Sequence, residues 1–172
     1  VCSSDLELPW RIAVLPDGRM LITEKVGPIW LVSAKGEKIA ALGNTPAVYW
    51  NGQNGMLGLY LSPTFATDQT VFVTFVEPGD YGGGLALGRG KLNATATSAK
   101  LENFEVLWRQ MPKGKGGQEG AQVAFSPDGK LIRRFLGDKY SNIHDIEIRD
   151  EAGGEFIYGA RNVAGEGIKF HS

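Results

Sequence analysis

Few residues in this chain suit acid–base, metal or redox chemistry. There is one cysteine, Cys2, and there are two histidines, His144 and His171. A lone thiol excludes an internal disulfide framework and a Cys-rich zinc site. Two imidazoles offer little to a histidine metal cluster, and no metal ligands are assigned. What remains is amides, cations and carboxylates near glycines. Gln53 lies in Asn51-Gly52-Gln53-Asn54-Gly55, and its amide both donates and accepts hydrogen bonds. Gln118 and Glu119 follow the loop Lys113-Gly114-Lys115-Gly116-Gly117. Arg161 is a permanent cation suited to carbonyl or carboxylate oxygens, and Asn162 adds an amide beside it. Asp138 follows Gly137 and reads as a turn residue or a site carboxylate. The acidic run Asp145, Glu147, Asp150, Glu151 lacks the spacing of an EF-hand loop. Asp80-Tyr81-Gly82-Gly83-Gly84 and the 113–117 stretch read as flexible loops, since neither leads into the Gly-Lys-Ser/Thr of a phosphate cradle.

Strands must position these residues, because the helical period is nearly absent and alternation of period two recurs. Ile12–Leu15, the turn Pro16-Asp17-Gly18 and Arg19–Thr23 read as strand, turn, strand. Val26–Val32 is a third strand, Ala34–Glu37 its turn, and a fourth lies near Lys38–Ala40. The pattern returns at Leu57–Leu61 and Val71–Val76, then at Gln122–Phe125 before Ser126-Pro127-Asp128-Gly129. Ile143–Asp150 alternates like a strand, and Gly167–Ser172 starts the pattern again. The repeated prolines stand at 16, 63 and 127. Self-similarity of this kind with short strands suggests an all-β fold of β-propeller blades, although a β-sandwich gives similar turn spacing. The four tryptophans, Trp10, Trp30, Trp50 and Trp108, then read as packing residues between blades.

The composition agrees with this. The chain has 172 residues, 24 of them glycine, with 42% hydrophobic and 22% charged residues, a globular rather than a disordered mix. A net charge of -1 with no basic run gives no nucleic-acid footprint. No apolar stretch reaches the roughly 18 residues of a membrane-spanning helix. Both ends read as cut rather than finished. Residues 1–5 are expected to be unstructured or foreign to the fold, and 6–172 to form one partial propeller domain.

Asn51-Gly52-Gln53-Asn54-Gly55-Met56-Leu57-Gly58, followed by Ser62-Pro63-Thr64-Phe65, closely resembles the soluble PQQ-dependent sugar dehydrogenases, the glucose/sorbosone dehydrogenase family. Leu8 through Gly18 looks like that family's opening strand, Gly117 through Gly129 like its active-site strand, and Tyr158-Gly159-Ala160-Arg161-Asn162 like its cofactor-facing Arg-Asn pair. The resemblance implies a propeller, six-bladed in the full family, of which this length supplies about two and a half to three blades. It also implies an oxidoreductase that oxidises a sugar hydroxyl with hydride transfer to PQQ (pyrroloquinoline quinone), with calcium in the complete enzyme. Gln53, Arg161 and Asn162 would contact the cofactor, and Asp138 would match the Asp that orients the general base. A periplasmic or secreted location follows from the resemblance alone.

The departures matter as much. The position of the family's general-base His is occupied by Gln118, and its Arg by Gln122. An amide has no useful proton affinity near neutral pH. Glu119 could accept a proton, but on a strand it would point opposite to Gln118. The later blades, with the calcium ligands, have no counterpart here. Three readings result: an enzyme of this family lacking part of its machinery, a non-catalytic β-repeat module that binds carbohydrate or protein, and an incomplete propeller that self-associates through unpaired blade faces.

Overall fold

A computed structural model describes residues 5–114, 119–126 and 130, together with the backbone of the strands within 143–171. The chain divides into two compact units, residues 1–131 and 132–172.

The first unit contains two four-stranded antiparallel meanders. One is β1 (Pro9–Val14), β2 (Met20–Glu24), β3 (Ile29–Val32) and β4 (Lys38–Gly43). The other is β5 (Met56–Leu61), β6 (Thr70–Gly79), β7 (Gly82–Ala94) and β8 (Ala99–Arg109), with the single helical turn α1 (Phe65–Asp68) between β5 and β6. Each meander is the four-stranded unit expected of a propeller blade. Their last strands join in parallel through Leu42↔Ala99 and Gly43↔Lys100. This makes one eight-stranded sheet, ordered β1-β2-β3-β4-β8-β7-β6-β5. At the opposite end β1 lies against β5, so the sheet doubles back and the two meanders enclose the core.

That enclosure explains the burial of β6. Val71 through Val76 are buried on both faces, which favours a continuous apolar run over alternation. Leu21, Ile29, Leu31, Met56, Leu59 and Phe75 fill the space between the meanders, each stabilising the fold by about 1.5–3 kcal/mol. The Pro-Asp-Gly turn after β1 closes as expected: the Leu15 N–H donates to the Arg19 carbonyl (2.8 Å), with Gly18 at φ 84°. The Ser126 N–H donates in the same way to the Lys130 carbonyl at 2.8 Å.

Three expectations fail. Gly82–Gly84 are strand rather than flexible loop: Gly79 pairs with Gly82, and only Asp80 and Tyr81 form the turn. Residues 122–124 lie in no strand, and Phe125 makes a single bridge. Trp10, Trp50 and Trp108 are 53%, 50% and 41% exposed, so only Trp30 packs as expected.

The second unit holds β9 (Ile143–Glu151), β10 (Gly154–Arg161) and β11 (Gly167–His171), an antiparallel sheet in the order β11-β10-β9. The strands anticipated at Ile143–Asp150 and from Gly167 are both present.

Candidate functional site

Gln53 stands at the tip of the Asn51–Gly55 loop, which leads into β5. Backbone bonds fix the loop on both sides. The Tyr49 N–H donates to the Val76 carbonyl (2.8 Å), and the Val76 N–H donates to the Gly55 carbonyl (2.9 Å). The Met56 N–H donates to the Lys25 carbonyl at 3.0 Å. Gly52 and Gly55 have φ of 60° and 136°, values that favour glycine. A Cβ at Gly55 would lie 2.0 Å from the Lys25 carbonyl oxygen, so only glycine permits this approach. Asn54 is buried; its N–H donates to the Asn51 carbonyl (3.1 Å), and its Oδ1 accepts the Glu119 N–H (3.3 Å). Gln53 itself is exposed. The loop backbone thus presents the Gln53 amide, which has no hydrogen-bond partner among the described residues.

The strand leaving the loop is held by hydroxyls. Thr23, fully buried on β2, accepts the Arg11 N–H (3.0 Å) and donates to the Leu57 carbonyl (2.8 Å). The Gly58 N–H donates to Thr74 Oγ1 at 2.8 Å. Next along β5, an open groove of about 360 Å³ is lined by Arg11–Val14 of β1, by Leu59–Leu61 and by Gln122, Val123 and Phe125. The Arg11 guanidinium lies 5.1 Å from the centre of the Tyr60 ring, whose hydroxyl donates to the Ala121 carbonyl (3.0 Å). Burial raises the Tyr60 pKa, an effect opposed by Arg11. Gln122 borders this groove.

Two ionisable residues are joined to the loop through their backbones, Lys25 at Met56 and Glu119 at Asn54. Burial raises the Glu119 carboxyl above its ordinary value, partly offset by a hydrogen bond from Gln110. Lys25 is 8% exposed, and burial lowers its pKa. Its Nζ lies 4.3 Å from the centre of the Trp10 ring. Sequence reasoning missed Lys25, because no local motif marks it.

Of the expected site residues, only Gln53 has a described side chain. Gln118, Asp138 and Asn162 lie outside the described residues. Arg161 ends β10, opposite Ile143 and after a register shift; only its backbone is described. Among the described residues, no three His, Cys, Asp or Glu side chains cluster to hold a metal ion.

A family model for glucose / sorbosone dehydrogenase matches residues 6–165. This chain belongs to that family. It is 35% identical over 135 residues to the aldose sugar dehydrogenase YliI of Escherichia coli (strain K12), covering 77% of this chain and 36% of that protein. The crystal structure of the soluble E. coli aldose sugar dehydrogenase in its apo-form superposes with a TM-score of 0.65 at 29% identity, over 91% of this chain and 38% of that one. A PQQ-bound aldose sugar dehydrogenase from Streptomyces coelicolor superposes with a TM-score of 0.62 at 25% identity, over 94% and 46%. The chain spans less than half the length of each. Its two meanders are β-propeller blades, as in the sugar dehydrogenases it resembles.

Proposed function

We propose that this chain forms part of a PQQ-dependent aldose dehydrogenase site, with Gln53 binding cofactor or sugar. The carrying observation is the exposed Gln53 amide on a loop locked by Gly55 and by backbone bonds to Lys25 and Val76. The groups present suit PQQ. An amide matches a quinone or hydroxyl oxygen, and the Lys25 ammonium, which has no ion-pair partner among the described residues, matches a carboxylate. When bound, the quinone accepts hydride from the sugar carbon. The chain's own part is to hold and orient ligands and to receive the hydroxyl proton. Arg161 and Asn162 are proposed as further cofactor contacts, and Asp138 as a catalytic carboxylate. Calcium belongs to the proposal for the complete enzyme only.

The base position is the weak point. Gln118 cannot take a proton at neutral pH, which favours the second reading, a module that binds cofactor or carbohydrate without turnover. We further propose that residues 6–172 act as one partial propeller with 1–5 outside it, and that the location is periplasmic or secreted. No helix among the described residues is long and apolar enough to cross a membrane. Self-association is also proposed, supported by exposed Ile12 and Val14 on the end strand β1.

Calorimetric titration with PQQ, alongside dye reduction by aldoses with PQQ and calcium, tests the function. Binding with turnover supports the enzyme, and binding without turnover supports the module. Absence of binding removes the cofactor reading for this chain. Light scattering tests association, and a monomer at all concentrations refutes it.

A further inference from the structure

We propose that Lys25 and Trp10 together bind a planar aromatic carboxylate, the ammonium meeting the carboxylate and the indole lying against the ring. The observations are electrostatic and positional. Glu24, next to Lys25, is already engaged: its Oε1 accepts the Glu7 N–H (2.7 Å) and lies 3.5 Å from Lys38 Nζ. Lys113, another partly buried lysine, is paired with Glu77 at 2.7 Å. Lys25, at 8% exposure, forms no ion pair among the described residues and has only the indole for compensation. A ring contact offsets only part of the cost of taking an ammonium out of water. An anion arriving at that ammonium would meet a cation that no carboxylate among the described residues already neutralises.

The position is also fixed. The Lys25 N–H donates to the Leu8 carbonyl (3.0 Å), just before the strand bearing Trp10, and the Lys25 carbonyl accepts the Met56 N–H (3.0 Å) at the end of the Gln53 loop. One residue thus fastens the indole strand to that loop. Trp10 remains 53% exposed; the Lys25 ammonium lies over its ring, and the ring surface away from that ammonium is open to contact. Cation and ring together are the complement of a planar aromatic carboxylate. The inference rests on the proposed function only in naming PQQ as the natural ligand.

The experiment uses the full chain, with PQQ and pyridine-2,6-dicarboxylate as separate probes. Binding is measured by calorimetry, and amine labelling of Lys25 by mass spectrometry. The expected result is protection of Lys25 by PQQ. K25Q should weaken binding about tenfold or more, the worth of one charge-assisted bond, while K25R retains most of it and W10L loses part. Equal binding by K25Q and wild type overturns this site and leaves the proposed function standing. Protection of Lys25 by the dicarboxylate without any PQQ binding supports the site and refutes the cofactor reading. Unchanged labelling with both probes overturns the site whatever the variants do.

Discussion

Gly55→Ala tests whether the candidate site depends on one backbone approach. Gly55 has φ 136°, and a Cβ there would lie 2.0 Å from the Lys25 carbonyl oxygen and 2.9 Å from its carbon. Both contacts are backbone, so no side chain can swing away. Relief that displaces Lys25 from Met56 and Gly55 from Val76 breaks both bonds, of 3.0 and 2.9 Å. Backbone strain at such φ costs about 1–3 kcal/mol, and each lost bond about 1 kcal/mol. The sum is about 3–5 kcal/mol. Gly52→Ala is the control: φ is 60°, and a Cβ there meets nothing within 4 Å. It should cost only the left-handed term, about 1–2 kcal/mol. In urea, with a slope of about 1–3 kcal/mol per molar, the G55A midpoint should fall about 2 M and the G52A midpoint less than half as far. Failure of G55A to fold while G52A folds points the same way. Equal midpoints for the two variants would refute the reasoning.

Gln53→Ala should leave the urea midpoint within about 0.5 kcal/mol of wild type, because the side chain is exposed. It should weaken PQQ binding about tenfold, measured by calorimetry. Glu77→Gln tests the pairing of Glu77 with Arg109 (2.8 Å) and Lys113 (2.7 Å). Burial alone would raise the Glu77 pKa, but the hydrogen bonds and charges of Arg109 and Lys113 leave it lowered. A carboxylate with a lowered folded pKa stabilises above its unfolded value, about 4.3, and loses that contribution as pH falls through the folded value. E77Q should therefore cost about 1 kcal/mol at pH 7, and its deficit should shrink on acidification below about pH 4. A deficit independent of pH would contradict the ion-pair account.

The legible parts of the sequence were those where local chemistry and final structure coincide. The Pro16-Asp17-Gly18 turn needs a positive φ at Gly18, and Val71–Val76 needs burial on both faces. Each requirement shows in the residues themselves. Strands β7 and β8 were not legible, because glycine there answers a tertiary demand. A Cβ at Gly88 would lie 2.3 Å from Phe104 Cζ, so this glycine makes room for a ring on the neighbouring strand. The same holds at the site. Gly52 and Gly55 pointed to the Gln53 loop, since their turn chemistry is local. Lys25 gave no sign, because its partners lie on β1 and at the start of β5, far along the chain.

Under the proposed function, ligand retention and proton removal fall to different parts of the chain. Retention rests on the 51–55 loop, whose geometry depends on Gly55, Lys25 and Val76 and not on residue 118. Proton removal needs a base, and Gln118 is none. Glu119 follows directly, and the objection that a strand would turn it away lapses, because residues 119 and 120 lie in no strand. Its N–H is bonded to Asn54 Oδ1 at 3.3 Å, beside Gln53, and burial raises its pKa, which strengthens it as a base. If Glu119 takes the hydroxyl proton, dye reduction by aldoses should rise with pH as this carboxyl ionises. E119Q should then abolish turnover while leaving PQQ affinity unchanged. A wild-type chain that binds PQQ without turnover, or an E119Q variant that retains its rate, would show that this carboxylate is not the base.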